Sequence, residues 1–198
     1  NDILDGNVSM DKPAELNDVT VMFCDIAGFT RASEKLGPIT ISNMMNEFFT
    51  VMSDIIFEHG GTIDKFIGDA IMVMFGAPQA MTREQQAICA ADCARAMQGA
   101  MEGLSHIWAM EGAEGLKLRV GIHQGEAVVG NFGSYRRMDY TCIGSAVNLA
   151  ARIESVCAPG AIYISEQVAM YLGAAEAKSV GYFDLKGVEH SQHLLQLV

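Results

Sequence analysis

The chain has 198 residues, half of them apolar, and its 24 acidic and 13 basic side chains give a formal net charge of −11. This length suits one domain with a substantial buried core. The negative balance argues against a broad surface for nucleic acid or for an anionic membrane, because both need clustered Lys and Arg. Five cysteines without a C-x-x-C pair indicate reduced core thiols rather than a disulfide framework.

No apolar run approaches the roughly 18 residues that cross a bilayer, and no signal peptide opens the chain. We therefore expect a cytoplasmic domain. The chain begins at Asn1 without an initiator Met, which suggests a piece of a longer protein that carries a sensor or a membrane anchor upstream. Residues 1–17 are polar and aperiodic and contain Pro13, so we predict a lead-in linker there and one domain over 18–198.

Hydrophobic periodicity divides the chain into short strands, where apolar residues run together or alternate, and helices, where they recur every three or four positions. In the first half it predicts a strand at 19–23, a helix over 41–56, two strands within 62–75 and a helix from 82 to 108. In the second half it predicts strands at 117–124 and 126–132, a helix at 144–157, a strand at 161–164 and two strands near 180–197. Thr82 and Gln85 form a capping box at the start of the long helix.

The core order strand, helix, strand, strand, helix, strand is that of a ferredoxin-like, split βαβ fold of the α+β class. We expect a central, mostly antiparallel sheet flanked by helices, with a C-terminal extension. In this fold the first strand pairs antiparallel with the third. Asp25 follows the first strand and Asp69 stands at the turn before the third, so both carboxylates should lie at the same edge of the sheet.

Two aspartates placed together in this way repel each other, and a pair of Mg²⁺ or Mn²⁺ ions about 3.5–4 Å apart relieves that repulsion while clamping the oxygens of an in-line displacement. Next to Asp25, the residues Gly28, Phe29 and Thr30 open a predicted helix, whose free N–H groups can bind terminal phosphates. Taken alone, Gly28 would more simply be a turn glycine. Together, these features indicate nucleotide chemistry.

Four segments carry a more specific signal, and they follow one another in the order FCDIAGFT at 23–30, DKFIGDA at 64–70, LRVGIHQG at 118–125 and YTCIGSAVNLAAR at 140–152. Together they resemble the class III nucleotidyl cyclase catalytic domain over about residues 18–197. This resemblance implies conversion of a nucleoside triphosphate to its 3′,5′-cyclic monophosphate plus pyrophosphate. In that reaction the ribose 3′-oxygen attacks the α-phosphorus.

The resemblance also implies roles for individual residues. Asp25 and Asp69 would bind both metal ions, assisted by the backbone carbonyl of Ile26. Asn148 would orient the ribose, and Arg152 would stabilise the charge that develops on the α-phosphate. The last two residues lie four positions apart on a predicted helix and therefore face the same way.

The base and the polyphosphate have their own implied contacts. Arg119 and Lys186 match polyphosphate-binding positions, although Lys186 alone could equally be a solvated turn residue. Adenine-selective members of the family resemble this chain, because they have Lys at the position of Lys65 and Thr or Asp at the position of Thr141. A threonine at the second position is typical of a bacterial subgroup. Guanine-selective members have Glu and Cys at these two positions. Lys65 would donate to adenine N1 and Thr141 would accept from the exocyclic amine, whereas a lysine opposes the N1–H of guanine. We therefore expect ATP as the substrate.

In this family the metal-binding aspartates of one chain face the base-reading and arginine residues of a second chain, in a head-to-tail arrangement. This chain carries both halves, so the resemblance implies a homodimer with two shared sites and a nearly inactive monomer. The segment Asn131–Asp139 lies where the family extends an arm across the partner. Without the resemblance, it would be interpreted as a hairpin tip.

Three classes of function remain open at this point. The first is an active ATP cyclase, with a guanylyl or mixed-specificity cyclase as its variant, and the second is a cyclase-like module that dimerises or senses nucleotide without turnover. The third is another phosphoryl transferase with the same sheet, such as a diguanylate cyclase. Its Gly-Gly-Asp/Glu-Glu-Phe hairpin is absent, because Gly60 and Gly61 are followed by Thr62 and Ile63.

Overall fold

The computed structural model describes residues 13–198, and its elements follow the predicted alternation closely. The strands are β1 Glu15–Ala27, β2 Thr62–Ile67, β3 Ala70–Phe75, β4 Lys117–Ser134, β5 Arg137–Ile143, β6 Ile162–Ser165, β7 Ala177–Phe183 and β8 Gln192–Leu197. The helices are α1 Phe29–Lys35, α2 Pro38–Glu58, α3 Arg83–Met110, α4 Ser145–Val156 and α5 Glu166–Ala169. The first twelve residues of the predicted lead-in lie outside the described residues, and β1 begins within its last part, at Glu15.

Within residues 13–198 the strands form one sheet in the order β2-β3-β1-β4-β6-β8-β7, and β5 pairs with β4 outside this path. Strand β1 is antiparallel to both β3 and β4, while β6 is parallel to β4. The predicted α+β fold is therefore confirmed, with a mostly antiparallel sheet in which the first strand pairs with the third.

Strand β1 is buried on both faces, and its side chains alternate between two hydrophobic clusters. Met22 and Cys24 pack into the cluster that α2 and α3 cover. Val19 and Val21 pack into the opposite cluster, which includes Ala150 of α4. Because both faces of the strand are covered, only its ends are left to present functional side chains.

Helix α2 presents one apolar stripe to the sheet. Pro38 occupies its first turn, where the missing N–H has no helical partner to lose. Four residues spaced by one turn are buried along the stripe, namely Met44, Phe48, Met52 and Ile56. The predicted helix over 41–56 is confirmed, with one extra turn at its start.

Helix α3 begins with the predicted capping box. The Thr82 hydroxyl accepts a hydrogen bond from Gln85 N at 3.2 Å, and Gln85 Oε1 accepts one from Thr82 N at 2.9 Å. Near the other end, the indole of Trp108 donates to Glu47 Oε2 at 2.8 Å and joins α3 to α2. Among residues 13–198, no helix combines the length and the apolar composition needed to cross a membrane.

Strand β4 corrects one prediction, because it is a single strand over Lys117–Ser134 and not two strands separated at Gly125. Gly125 stays in the ladder opposite Val19. A Cβ atom at this position would lie 3.1 Å from His123 Nε2 and 3.2 Å from Ala146 Cβ. The glycine therefore makes room for α4 on the sheet, a packing role that cannot be distinguished from a turn signal in the sequence.

Two further elements were not predicted. Strand β5 folds back on the end of β4, and their hairpin contains the segment 131–139, which the resemblance assigned to an arm and the residues alone to a hairpin tip. Its tip carries Tyr135, which is 90% exposed. Helix α5 has four residues, too few to show a helical period.

Candidate active site

The two aspartates singled out in the sequence lie at one edge of the sheet. Asp25 is near the end of β1, and Asp69 lies in the turn between β2 and β3. The backbone N–H of Ile26, the residue after Asp25, donates to Asp69 Oδ2 at 3.3 Å. Burial raises the pKa of Asp69, and the negative charge of Asp25 raises it further. The charge of Asp25 therefore disfavours ionisation of Asp69, as expected for neighbouring like charges.

Arg119 is the residue directly opposite Asp25 in the β1–β4 ladder. Its Nε donates to Asp25 Oδ1 at 2.9 Å and its Nη2 to Asp25 Oδ2 at 2.6 Å. This two-pronged geometry matches the planar guanidinium to the carboxylate. Hydrogen bonding to Asp25 raises the pKa of Arg119. The polyphosphate role expected for Arg119 stays a prediction, and in this structure its guanidinium is held by Asp25.

Glu154 completes this charged cluster, and the sequence reasoning missed it. Its Oε1 lies 3.3 Å from Arg119 Nε without hydrogen-bond alignment, and its side chain is 13% exposed. Burial, followed by the charge of Asp25, raises the pKa of Glu154 to about 7. Helix α4 brings Glu154 to this position because Gly121 of β4 has no side chain: a Cβ there would lie 2.2 Å from Glu154 N.

A second cluster contains the two residues expected to read the base. Lys65 of β2 and Thr141 of β5 both contact the carboxylate of Asp64, which is fully buried. The Thr141 hydroxyl donates to Asp64 Oδ2, and Lys65 Nζ lies 3.1 Å from Asp64 Oδ1. The structure thus brings together residues of two different strands, through a carboxylate that the sequence reasoning did not single out.

Most of the remaining predicted residues lie at the surface. Asn148 and Arg152 are exposed on α4, one turn apart, and Lys186 is exposed between β7 and β8. Gly28 precedes α1 with a φ of 90°, a left-handed conformation that glycine adopts without strain. Phe29 and Thr30 form the first turn of α1 as predicted, with Phe29 packed against the main core.

Comparison with known proteins decides the family. The profile described as "Adenylate and Guanylate cyclase catalytic domain" matches residues 12–197. The chain belongs to this class III cyclase family. The cyclase domain is 38% identical over 153 residues to "Adenylate cyclase 1" of Rhizobium meliloti (strain 1021), an alignment covering 73% of this chain. It is also 38% identical over 174 residues to "Adenylate cyclase" of Anabaena cylindrica, covering 84% of this chain. It spans 23% and 33% of the lengths of these two proteins.

Solved structures agree on the fold. The cyclase domain matches the crystal structure of the adenylyl cyclase CyaB from P. aeruginosa with a TM-score of 0.92 and 37% identity, over 94% of this chain and 96% of that chain. It matches the guanylyl cyclase Cya2 with a TM-score of 0.86 and 35% identity, over 94% of each chain. The similar structures thus include cyclases named for either base.

The donor set at the sheet edge fits divalent metal ions, which members of this family generally use. Asp25 and Asp69 offer carboxylate oxygens, and Ile26, which would add a backbone carbonyl, directly follows Asp25 in the chain. Mg²⁺ and Mn²⁺ prefer such oxygen ligands and commonly take the rest from substrate phosphates. Within residues 13–198, no group of three or more His, Cys, Asp or Glu residues forms a metal cluster. The negative charge of Asp25 contributes to the raised pKa of Asp69, and divalent cations bound by the two carboxylates would relieve this repulsion.

Proposed function

We propose that this cyclase domain is an adenylyl cyclase, which converts ATP to 3′,5′-cyclic AMP and pyrophosphate at two sites shared by a homodimer. Family membership and the similarity to proteins named adenylate cyclase support this proposal. The observation that carries the choice of ATP is the convergence of Lys65 and Thr141 on one carboxylate. A donor and a hydroxyl held together in this way complement N1 and the exocyclic amine of adenine.

The chemistry requires one bond to form and one to break. The ribose O3′ attacks the α-phosphorus, the bond from that phosphorus to the bridging oxygen breaks, pyrophosphate leaves, and the hydroxyl proton passes to solvent. Two divalent cations, held by Asp25, Asp69 and the Ile26 carbonyl, would lower the pKa of the 3′-hydroxyl and neutralise the triphosphate when bound.

The protein's own side chains orient the substrate and stabilise its charge. Arg152 donates to the oxygens of the α-phosphate as negative charge builds there. Asn148 holds the ribose, and Lys186 binds the leaving phosphates. Arg119 also binds these phosphates, which requires its guanidinium to exchange Asp25 for phosphate oxygens. The N–H groups at the start of α1, over residues 28–30, face the terminal phosphate.

The shared-site arrangement can be tested with two inactive variants. Asp25→Ala removes the metal-binding half of a site and Arg152→Ala removes the other half, so a mixed dimer rebuilds one whole site. If the chains mix at random, half of the dimers are mixed and each has one of two sites intact. We therefore expect about a quarter of wild-type activity in the mixture.

A matched control uses two variants in the same half of the site. A mixture of Asp25→Ala with Asp69→Ala cannot rebuild a site and should stay inactive. If the first mixture also stays inactive, although mixed dimers are shown to form, the shared-site proposal is wrong.

The choice of base has a separate test. With Mn²⁺, the wild-type domain should form cyclic AMP from ATP faster than cyclic GMP from GTP. Lys65→Glu combined with Thr141→Cys should raise the use of GTP relative to ATP. The similarity to Cya2 favours guanylyl cyclase as the second candidate, and faster turnover of GTP by the wild type would establish it. A domain that forms neither product would be a silent dimerisation or sensor module.

We also propose that the cyclase domain is one part of a longer protein. The domain spans a quarter to a third of two curated relatives, so we propose that a sensor or membrane segment regulates it from outside this chain. The catalytic domain itself would then act in the cytoplasm, where ATP is available.

A further inference from the structure

Asp64 occupies an irregular position in β2. In the β2–β3 ladder Ile63 pairs with Val73 and Lys65 pairs with Met72, so Asp64 is an extra residue inserted between them. This is a β-bulge, which re-aims side chains and occurs often beside active sites. In a regular strand the side chains of Asp64 and Lys65 would point to opposite faces. With the bulge, their charged atoms lie 3.1 Å apart.

The carboxylate of Asp64 is held from three directions. Its Oδ2 accepts hydrogen bonds from the Thr141 hydroxyl and from the backbone N–H of Cys142, the latter at 3.3 Å. Its Oδ1 has Lys65 Nζ at 3.1 Å, an ion-pair contact without hydrogen-bond alignment. None of the Asp64 side chain is exposed, and a buried carboxylate needs such partners to replace the hydrogen bonds that it loses with water. Burial together with the Asp64 charge raises the pKa of Cys142 to about 12.

The direction of the hydrogen bond between Asp64 and Thr141 is determined by chemistry. A threonine hydroxyl can donate one hydrogen bond and accept two, whereas an ionised carboxylate can only accept. The Thr141 proton therefore points to Asp64, and what remains on Oγ1 is acceptor capacity. Only 6% of Thr141 is exposed, so little water competes for the hydroxyl.

We infer that Asp64 is a specificity-determining positioning residue, which fixes Thr141 as a hydrogen-bond acceptor and holds Lys65 beside it, so that the pair accepts a 6-amino purine and rejects a 6-oxo purine. The exocyclic amine of adenine donates to the acceptor on Thr141. The O6 of guanine is itself an acceptor, so it could not form a hydrogen bond with the acceptor on Thr141. A mismatch of this kind, which leaves buried polar groups unpaired, gives strong discrimination. This inference rests on the proposed function, because it assumes that the base binds at Lys65 and Thr141.

The test replaces Asp64 by its neutral isostere. In Asp64→Asn the side-chain amide can donate to Thr141, which frees the threonine proton for O6 of a 6-oxo purine, and Lys65 loses its counter-charge. The ratio of kcat/KM for ATP to kcat/KM for GTP should fall at least about tenfold. Asp54→Asn is the same substitution at an exposed position of α2 and should leave the ratio unchanged. A role of Asp64 in folding alone would lower both rates together and keep the ratio, which would overturn the inference.

Two additional measurements make the test specific. ITP carries the 6-oxo group of GTP without its 2-amino group, so Asp64→Asn should improve ITP relative to ATP as well; a gain confined to GTP would contradict the inference. In a Thr141→Ala background, Asp64→Asn should change the ATP-to-GTP ratio much less than it does in the wild type, because its main target is gone. Full additivity of the two substitutions would also overturn the inference.

The result can be separated from a failure of the proposed function. If the wild-type domain turns over neither nucleotide, the ratio of association constants for fluorescent N-methylanthraniloyl-ATP and N-methylanthraniloyl-GTP replaces the kinetic ratio. The same fall is expected there for Asp64→Asn, and an unchanged binding ratio would contradict the inference. If Asp64→Asn does not fold, Asp64→Ser removes the same charge with a smaller side chain and is expected to lower the ratio in the same direction.

Discussion

Buried His123 predicts a pH dependence of stability that can be calculated from the structure. His123 lies within β4, is 7% exposed, and its Nδ1 is 2.8 Å from Ser165 Oγ. Burial lowers the pKa of His123 from 6.5 to about 4, because the interior disfavours the charged imidazolium. Between these two values the unfolded chain binds a proton that the folded chain does not. Lowering the pH through this window therefore stabilises the unfolded state.

The magnitude follows from linkage, which gives about 1.4 kcal/mol for each pH unit in which the unfolded state holds one more proton. The contribution of neutral His123 to the stability of the folded state is fully present above about pH 6.5 and is lost progressively as the pH falls towards 4. Between pH 7.5 and pH 5, His123 should lower the free energy of unfolding by about 2 kcal/mol. His123→Gln cannot titrate and should lack this part of the acid sensitivity.

The assay is urea unfolding of wild type and variant at pH 7.5 and pH 5, followed by circular dichroism. The quantity of interest is the difference in the free energy of unfolding between pH 7.5 and pH 5, so a loss of stability that is equal at both pH values does not affect the result. His106→Gln, the same substitution at an exposed position of α3, should keep the wild-type difference. If the free energy of unfolding falls by the same amount between pH 7.5 and pH 5 in the wild type and in His123→Gln, the reasoning is refuted.

Three other substitutions test separate parts of the structure. Gly121→Ala should destabilise the domain by about 2 kcal/mol or more in urea unfolding, because the added Cβ would lie 2.2 Å from Glu154 N. As a control, the Cβ added by Gly103→Ala on α3 would have no neighbouring atom within 4 Å. This substitution should be neutral or stabilise the domain by up to about 1 kcal/mol. Thr82→Ala should cost about 1 kcal/mol through loss of the α3 cap, and a melting temperature equal to that of the wild type would contradict the capping role. Arg152→Ala should lower kcat for cyclic AMP formation by about 10²–10³-fold at unchanged melting temperature, whereas a loss of less than about tenfold would exclude direct stabilisation of the reacting phosphate.

The fold and the meeting of the two aspartates could be predicted because they follow from periodicity and topology. Once the strand order is inferred, the antiparallel pairing of β1 and β3 places Asp25 next to Asp69, whatever the details of packing. The amphipathic period of α2 and the capping box of α3 are likewise local signals, which tertiary contacts reinforce in the structure.

Asp64 and Glu154 could not be found in the same way. Asp64 acts through a β-bulge, and a strand of six residues is too short for the change in apolar alternation at a bulge to be recognised in the sequence. Glu154 reaches Arg119 because Gly121 lets α4 approach the sheet, a three-dimensional contact between two distant segments. The predicted break at Gly125 failed for a related reason, since a glycine that accommodates a helix has the same letter as one that makes a turn.

The length of β4 has a structural consequence. Its ladders with β1 and β5 run without a register shift from Lys117 to Ser134, a span of about 60 Å at roughly 3.3 Å per residue. Arg119, which holds Asp25, lies near one end of this strand. Tyr135, 90% exposed, lies just beyond the other end. One uninterrupted strand therefore connects the charged cluster at the sheet edge with the exposed tip of the hairpin.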